Sequence, residues 1–368
     1  MSLQRLLLQT QERFPGYHDS DVEISPLEKG GSERKFYRIR AGGENPVILV
    51  KYSSQKEENR HYVEIAKFLA ASGLNVPAIY FHDVAEGLIW MQDLGDKDLW
   101  SWREASWERR RLLYESALFE VGKLHVAATK SLGGSGLRLE REFSEQLYLW
   151  EQQYFFDNCL RAHFGLNETA VRRYAELPVM RDIAARLASL PRVLVHRDFQ
   201  SQNILIHDDT AWLIDFQGMR PGLPQYDIAS LLYDPYVELT GGERIVLLEF
   251  YKSSARRSGM EISPGFDECF YFCALQRLMQ ALGAYGFLGL QKGRPDFLAH
   301  IPAARRSLRE VAARIDGLDE FVEELDGDFA LVGFLAVLQV DGGGGRKGKG
   351  FFGEDDGSAQ ELDGVGFG

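Results

Sequence analysis

The chain has 368 residues, 45% of them apolar, enough to fill the core of one large or two ordinary domains. A net charge of −12, from 54 acidic against 42 basic residues, disfavours extended contact with a phosphate backbone and excludes nucleic acid as an expected partner. With no cleavage site after MSLQRLLLQTQERF, no apolar run near the roughly 18 residues of a spanning helix, and only Cys159, Cys269 and Cys273 as thiols, no membrane partner and a cytoplasmic location are expected.

In chain order, a first helix is read over Leu3 to Phe14, followed by β-type stretches at Val22 to Leu27, Lys35 to Ala41 and Val47 to Tyr52. Gly30-Gly31 and Gly42-Gly43 separate them, which makes an antiparallel meander. A helix is expected from Glu57 to Ala71, then strands over Val76 to His82 and Gly87 to Asp93. Residues 1–94 are thus read as a small β lobe with one inserted helix. From Trp100 the periodicity turns helical, around Arg109 to Ala128, Ser144 to Arg161 and Glu168 to Leu190, and residues 95–338 are read as a larger helical lobe. Inside it, Arg192 to His196, Ile204 to His207 and Ala211 to Phe216 suggest a compact β-ribbon. Cys269 and Cys273 lie four apart on a helical segment, but no neighbouring ligand completes a zinc site, so buried thiols are expected. Residues 339–368, with four consecutive glycines and no periodicity, read as a disordered tail; the apolar run Phe329 to Val340 before it has no assigned place.

The ribbon carries the most informative residues. Val195-His196-Arg197-Asp198-Phe199-Gln200-Ser201-Gln202-Asn203-Ile204-Leu205 is followed, twelve residues after Asn203, by Asp215 in Ile214-Asp215-Phe216-Gln217. This pairs H-x-D-x-x-x-x-N with D-F, the arrangement of kinase-type sites. The first pattern alone arises by chance in roughly one such chain in fifty, and Asp215 at the right offset makes coincidence improbable. Phosphoryl transfer is mostly positioning and electrostatics, so one carboxylate must meet the incoming hydroxyl while hard oxygens hold a metal on the phosphates. Asp198 is therefore expected to orient the acceptor hydroxyl and take its proton, and Asn203 and Asp215 to bind Mg²⁺ beside ATP. Lys51, ending a β-branched run, is expected at the phosphates. Gly30, Gly31 and Ser32 would bring backbone N–H groups to them, and Glu64 on the helix would pair with Lys51, with Glu57 and Glu58 as first-turn alternatives. Gln92 and Leu94 complete the expected nucleotide contacts.

Together with Leu74-Asn75-Val76-Pro77, Leu124-His125 and Tyr226-Asp227-Ile228-Ala229, these residues resemble the aminoglycoside phosphotransferase and phosphotransferase enzyme family, relatives of protein kinases, from about Val22 to Arg314. The resemblance implies an α+β, bilobal protein-kinase-like fold: a small antiparallel β lobe with one helix, and a mainly α-helical lobe. It also implies that Asp227 and His196 hold the catalytic loop. Only eleven residues separate Asp215 from Asp227 and no A-P-E follows, so a peptide-docking segment does not fit. Gln217 replaces the glycine of D-F-G and becomes a candidate substrate contact. Asp215-Phe216-Gln217, Tyr226 to Tyr236 and Leu275-Gln276-Arg277 resemble a bacterial branch that phosphorylates the anomeric hydroxyl of N-acetylmuramate and N-acetylglucosamine. That likeness makes Asp234, Tyr236 and Arg277, with aromatics near Trp150 and Tyr154, candidate acceptor residues. An aminoglycoside-modifying kinase and a catalytically silent nucleotide-binding scaffold are the competing readings.

Overall fold

A computed structural model of the chain describes residues 2–17, 22–27, 34–42, 44–53 and 57–326, without the side chains of 15, 57–60 and 326. The expectations for Gly30, Gly31, Ser32, the side chains of Glu57 and Glu58, Phe329 to Val340 and the glycine-rich tail lie outside the described residues.

Helix α1 (Leu3–Arg13) is capped by Ser2, whose hydroxyl accepts from the Arg5 N–H. Strands β1 (Val22–Leu27), β2 (Lys35–Ala41), β3 (Val47–Lys51), β4 (Ile79–Asp83) and β5 (Leu88–Gln92) form an antiparallel sheet in the order β1-β2-β3-β5-β4, with α2 (Glu57–Ala71) between β3 and β4. Pro26, which has no N–H to give a ladder, sits in the edge strand β1. Strand alternation sorts the sheet into two faces. Val47, Leu49, Ile39, Leu88 and Trp90 pack with Leu6 of α1 and Tyr17, and the Trp90 indole N–H donates to Thr10 Oγ1 at 2.9 Å. On the other face Ile48, Val50, Ile89 and Met91 meet Tyr62, Val63, Ile65 and Ala66 of α2. The hairpin between β4 and β5 needs Gly87: its φ is +63°, and a Cβ there would stand 2.6 Å from the Tyr52 carbonyl. β4 starts at Ile79, not at Val76, because Pro77 cannot donate to the ladder and Asn75 is committed elsewhere. Its carbonyl accepts from Leu213 N at 2.9 Å and its amide reaches the Ala211 carbonyl at 3.2 Å, docking this turn on the helical lobe.

The helical lobe follows with α3 (Trp107–Lys123), α4 (Thr129–Ser131), α5 (Glu145–Phe155), α6 (Glu168–Ala175), α7 (Pro178–Ser189), α8 (Pro224–Leu232), α9 (Gly241–Arg257), α10 (Phe266–Leu290), α11 (Ile301–Ala312) and α12 (Asp319–Asp326). Two π-turns, Leu124–Ala128 and Phe156–Arg161, extend α3 and α5. The expected single helix over Glu168 to Leu190 is broken in two: Pro178 has no N–H to continue a ladder and opens a new helix as its first residue. The expected compact ribbon also divides. Strands β7 (Ile204–His207) and β8 (Thr210–Leu213) form a hairpin, while β6 (Val193–Val195) pairs with β9 (Arg220–Gly222), a strand the sequence reading did not foresee. α10 runs through the middle of the lobe, its Leu275, Leu278, Met279 and Leu282 buried. Cys159, Cys269 and Cys273 are buried free thiols. Among the described residues no helix is long and apolar enough to cross a membrane.

Candidate active site

A cavity of about 570 Å³ opens between the sheet and the helical lobe. Leu27, Ile48, Met91 and Leu205 give it apolar walls, and the connecting residues Gln92 to Asp96 give it a polar backbone edge, a combination suited to a flat heteroaromatic ring. That edge is stapled by Arg38 of β2. Its guanidinium, 5% exposed, takes Asp93 at 2.5 and 3.0 Å and Asp96 at 2.6 Å, so the connection is fixed to the sheet by charge-assisted bonds.

The loop after β6 is shaped by Asp227. Helix α8 starts with Pro224 at its first position and carries Asp227 in its first turn, fully buried. One carboxylate oxygen accepts the Arg197 N–H at 2.8 Å; the other accepts the His196 N–H at 2.6 Å and His125 Nε2–H at 3.0 Å. His125 lies in the first π-turn and accepts the Tyr251 hydroxyl on Nδ1 at 2.7 Å. These bonds hold Arg197 at φ +78°, a left-handed conformation unfavourable for a side-chain-bearing residue, immediately before Asp198. His196 Nε2–H then donates to the Ile214 carbonyl at 2.9 Å, linking the loop to the segment that carries Asp215.

Beyond Asp198 the chain makes a tight turn. Gln200 N donates to the Asp198 carbonyl at 2.9 Å and Asn203 Nδ2 to the same oxygen at 3.0 Å, while Ile214 N donates to the Asn203 carbonyl at 3.1 Å. Asp198 and Asn203 are thereby fixed side by side, with the Asp198 carboxylate partly exposed, 3.7 Å from Arg197 Nη1. Asp215, also left-handed at φ +62°, lines the cavity with Asn203, and Phe216 behind it stacks on Tyr62 of α2 at 4.9 Å. Burial opposes its ionisation. The Arg34 guanidinium, at 2.5 Å from Oδ1, and the Gln217 amide, at 2.8 Å, outweigh that and hold the carboxyl below the usual range.

Asn203 uses Nδ2 on Asp198, which leaves Oδ1 for the cavity; Asp215 uses Oδ1, and its Oδ2 has no hydrogen-bond partner among the described residues. Two hard oxygens facing one cavity fit Mg²⁺, which takes few protein ligands and fills its octahedron with water and phosphate oxygens. Among the described residues no group of three or more His, Cys, Asp or Glu side chains assembles as a metal site, here or elsewhere.

Asp198 itself, next to Asn203, is not among the residues that line the cavity; of the other expected site residues, Gln92, Leu94 and Tyr236 are. Lys51 is not. It shares a strand face with Val47 and Leu49, the face covered by α1, and Val50 takes the inward position. Glu64 points outward, with its side chain 65% exposed and paired with His61, because the helix period turns Tyr62, Ile65, Ala66 and Leu69 to the sheet instead. Asp234 lies beneath the loop from Asp198 to Asn203: it accepts the Ser201 N–H and hydroxyl at 2.8 and 2.6 Å and the Tyr236 N–H at 3.0 Å. Arg277 is bonded to Ser230, Gln280 and Gln200, and Gln217 to Asp215, so neither lines the cavity. Trp150 and Tyr154 stack on each other, the latter packed against Gly283 of α10.

The sequence reading missed Arg34, Arg38, Gln202, Phe297 and His300. His300, its ring 4.5 Å from that of Tyr236, and Phe297 give the helical lobe an aromatic wall; burial pushes the His300 imidazole pKa down. The break at Gly293 and the aromatic residues just after it were the available signal, but nothing in them points to a cavity.

Residues 23–262 match the model of the phosphotransferase enzyme family. A protein of Pseudomonas aeruginosa named N-acetylmuramate/N-acetylglucosamine kinase is 26% identical over 83% of this chain and 88% of its own length. One of the same name from Neisseria meningitidis serogroup B is 23% identical over 81% and 88%. The crystal structure of the ADP-bound aminoglycoside phosphotransferase APH(2'')-Ib superposes with a TM-score of 0.55 at 13% identity, covering 84% of this chain and 99% of that one, a likeness of fold.

Proposed function

The chain belongs to the phosphotransferase enzyme family, a small-molecule kinase, and on that premise we propose that it moves the γ-phosphate of ATP to a hydroxyl of an amino sugar, N-acetylmuramate or N-acetylglucosamine, at the anomeric position. The observation that carries the reading is the loop in which Asp198 is bonded directly to Asn203, with Asn203 and Asp215 lining one cavity beside an apolar slot. In this reading the adenine ring lies between Ile48 and Leu205 against the edge at Gln92 to Leu94. Asp198 accepts the hydrogen bond of the acceptor hydroxyl, orients its lone pair toward the γ-phosphorus, and takes the proton as the new oxygen–phosphorus bond forms and the bond from the γ-phosphorus to the departing ADP oxygen breaks. Asn203 and Asp215 would hold Mg²⁺, which when bound would supply charge neutralisation on the terminal phosphates. Tyr236, Phe297 and His300 offer ring faces on which a sugar can stack.

The likeness to two kinases named for amino sugars favours this acceptor over an aminoglycoside. The test is Mg²⁺- and acceptor-dependent ADP release by the purified protein with N-acetylmuramate, N-acetylglucosamine, other hexoses and aminoglycosides. Release with an amino sugar that Asp198→Ala lowers by about 10²- to 10⁴-fold is expected. Turnover with aminoglycosides alone, or none that depends on Asp198, overturns the reading.

A further inference from the structure

Donor phosphates carry several negative charges and need a fixed cation beside them. Lys51 cannot serve from the α1 side of β3, and the residue at the inward position, Val50, has no charge. The inner face of α2 presents Tyr62 to the cavity. Among the described residues, the cations lining the cavity are Arg34, Arg38 and Arg294. Arg38 is tied to Asp93 and Asp96 at the connection between lobes, and Arg294 is bonded to Asp296 on the helical wall. Arg34 differs from both in its place. It immediately precedes β2, lines the main cavity, and also lines the small recess formed by Val50, Tyr52, Tyr62 and Ile89. Its guanidinium is 10% exposed, lies 5.9 Å from the Phe36 ring centre and 6.0 Å from that of Tyr62, and contacts Asp215.

We propose that Arg34 is the phosphate-holding cation of this enzyme, reaching from the start of β2 into the space a lysine at position 50 would fill. A guanidinium presents five N–H donors in a planar fork. One of them on Asp215 Oδ1 sets the plane of that fork beside the carboxylate whose second oxygen faces the cavity, so the same contact orients the phosphate clamp and the metal ligand. The arrangement replaces the ion pair between lysine and helix glutamate with one residue anchored on the catalytic segment itself.

The inference rests on the donor being a nucleotide, and equilibrium binding separates the two. Adenosine, ADP and a non-hydrolysable ATP analogue are titrated, with Mg²⁺, into the full chain as wild type, Arg34→Ala, Arg34→Gln and Lys51→Ala. Loss of a charge-assisted clamp is expected to weaken ADP and the analogue by about 10- to 100-fold in both Arg34 variants. Adenosine, which has no phosphate, binds all four proteins alike, and Lys51→Ala behaves as wild type. Unchanged ADP binding by the Arg34 variants, an equal loss of adenosine, or weakened ADP binding in Lys51→Ala overturns the assignment while leaving the nucleotide reading in place. A wild type that binds none of the three removes the nucleotide reading and this inference with it.

Discussion

Glu151 of α5 is a buried carboxyl whose ionisation must weaken the fold, and this is measurable. Its Oε1 accepts the Tyr226 hydroxyl at 2.8 Å, while Oε2 has no partner among the described residues. Burial pushes its pKa from 4.5 to about 7, against the opposing Tyr226 bond and the charges of Arg197, Arg277 and Arg220. At about 1.36 kcal/mol per pH unit, that displacement is worth about 3 kcal/mol. The folded pKa lies above the unfolded one, so the contribution is fully present below pH about 4.5 and is lost as pH rises through about 7. Glu151→Gln keeps the shape and cannot ionise. The variant and the wild type are unfolded in urea at intervals from pH 5 to 8.5, where every other group titrates alike in both. Wild-type stability relative to the variant should fall by about 2–3 kcal/mol across that range. A difference that stays flat with pH would refute the assignment of Glu151 as a carboxyl neutral in its buried setting.

Asp227→Ala leaves two main-chain N–H groups and the His125 imidazole without their buried acceptor, at about 1–3 kcal/mol each, so urea unfolding should show a loss of about 3–9 kcal/mol. A loss under 1 kcal/mol would mean that the loop holds its shape without this tie. Tyr236→Ala removes part of the aromatic wall and should raise the acceptor KM about 10-fold with the nucleotide KM unchanged; a change confined to the nucleotide KM would place this wall at the wrong substrate. Glu64→Gln, on the exposed side of α2, should alter neither kcat nor stability by more than about 0.5 kcal/mol, and a large loss of activity would restore it to the site.

Local sequence was sufficient where chemistry is local. The period-2 strands, the helix between β3 and β4, and the spacing of Asp198, Asn203 and Asp215 are each written in short stretches, because strand alternation and a loop of fixed length need only neighbouring residues. Pro178 was equally legible as a helix start, and the single-helix reading over it failed by weighing periodicity above a missing N–H. Tertiary structure decided what depends on which face meets which. Lys51 and Val50 are adjacent in the chain, and only the packing of α1 on one side of the sheet and α2 on the other settles which of them faces α2 and the small recess beside the cavity. The same packing brings Arg34 to Asp215, 181 residues away, and Asp227 to His125, 102 residues away. Such meetings leave no spacing in the sequence: a guanidinium finds a carboxylate because burial leaves each charge few other partners, and that constraint exists only once the core has closed.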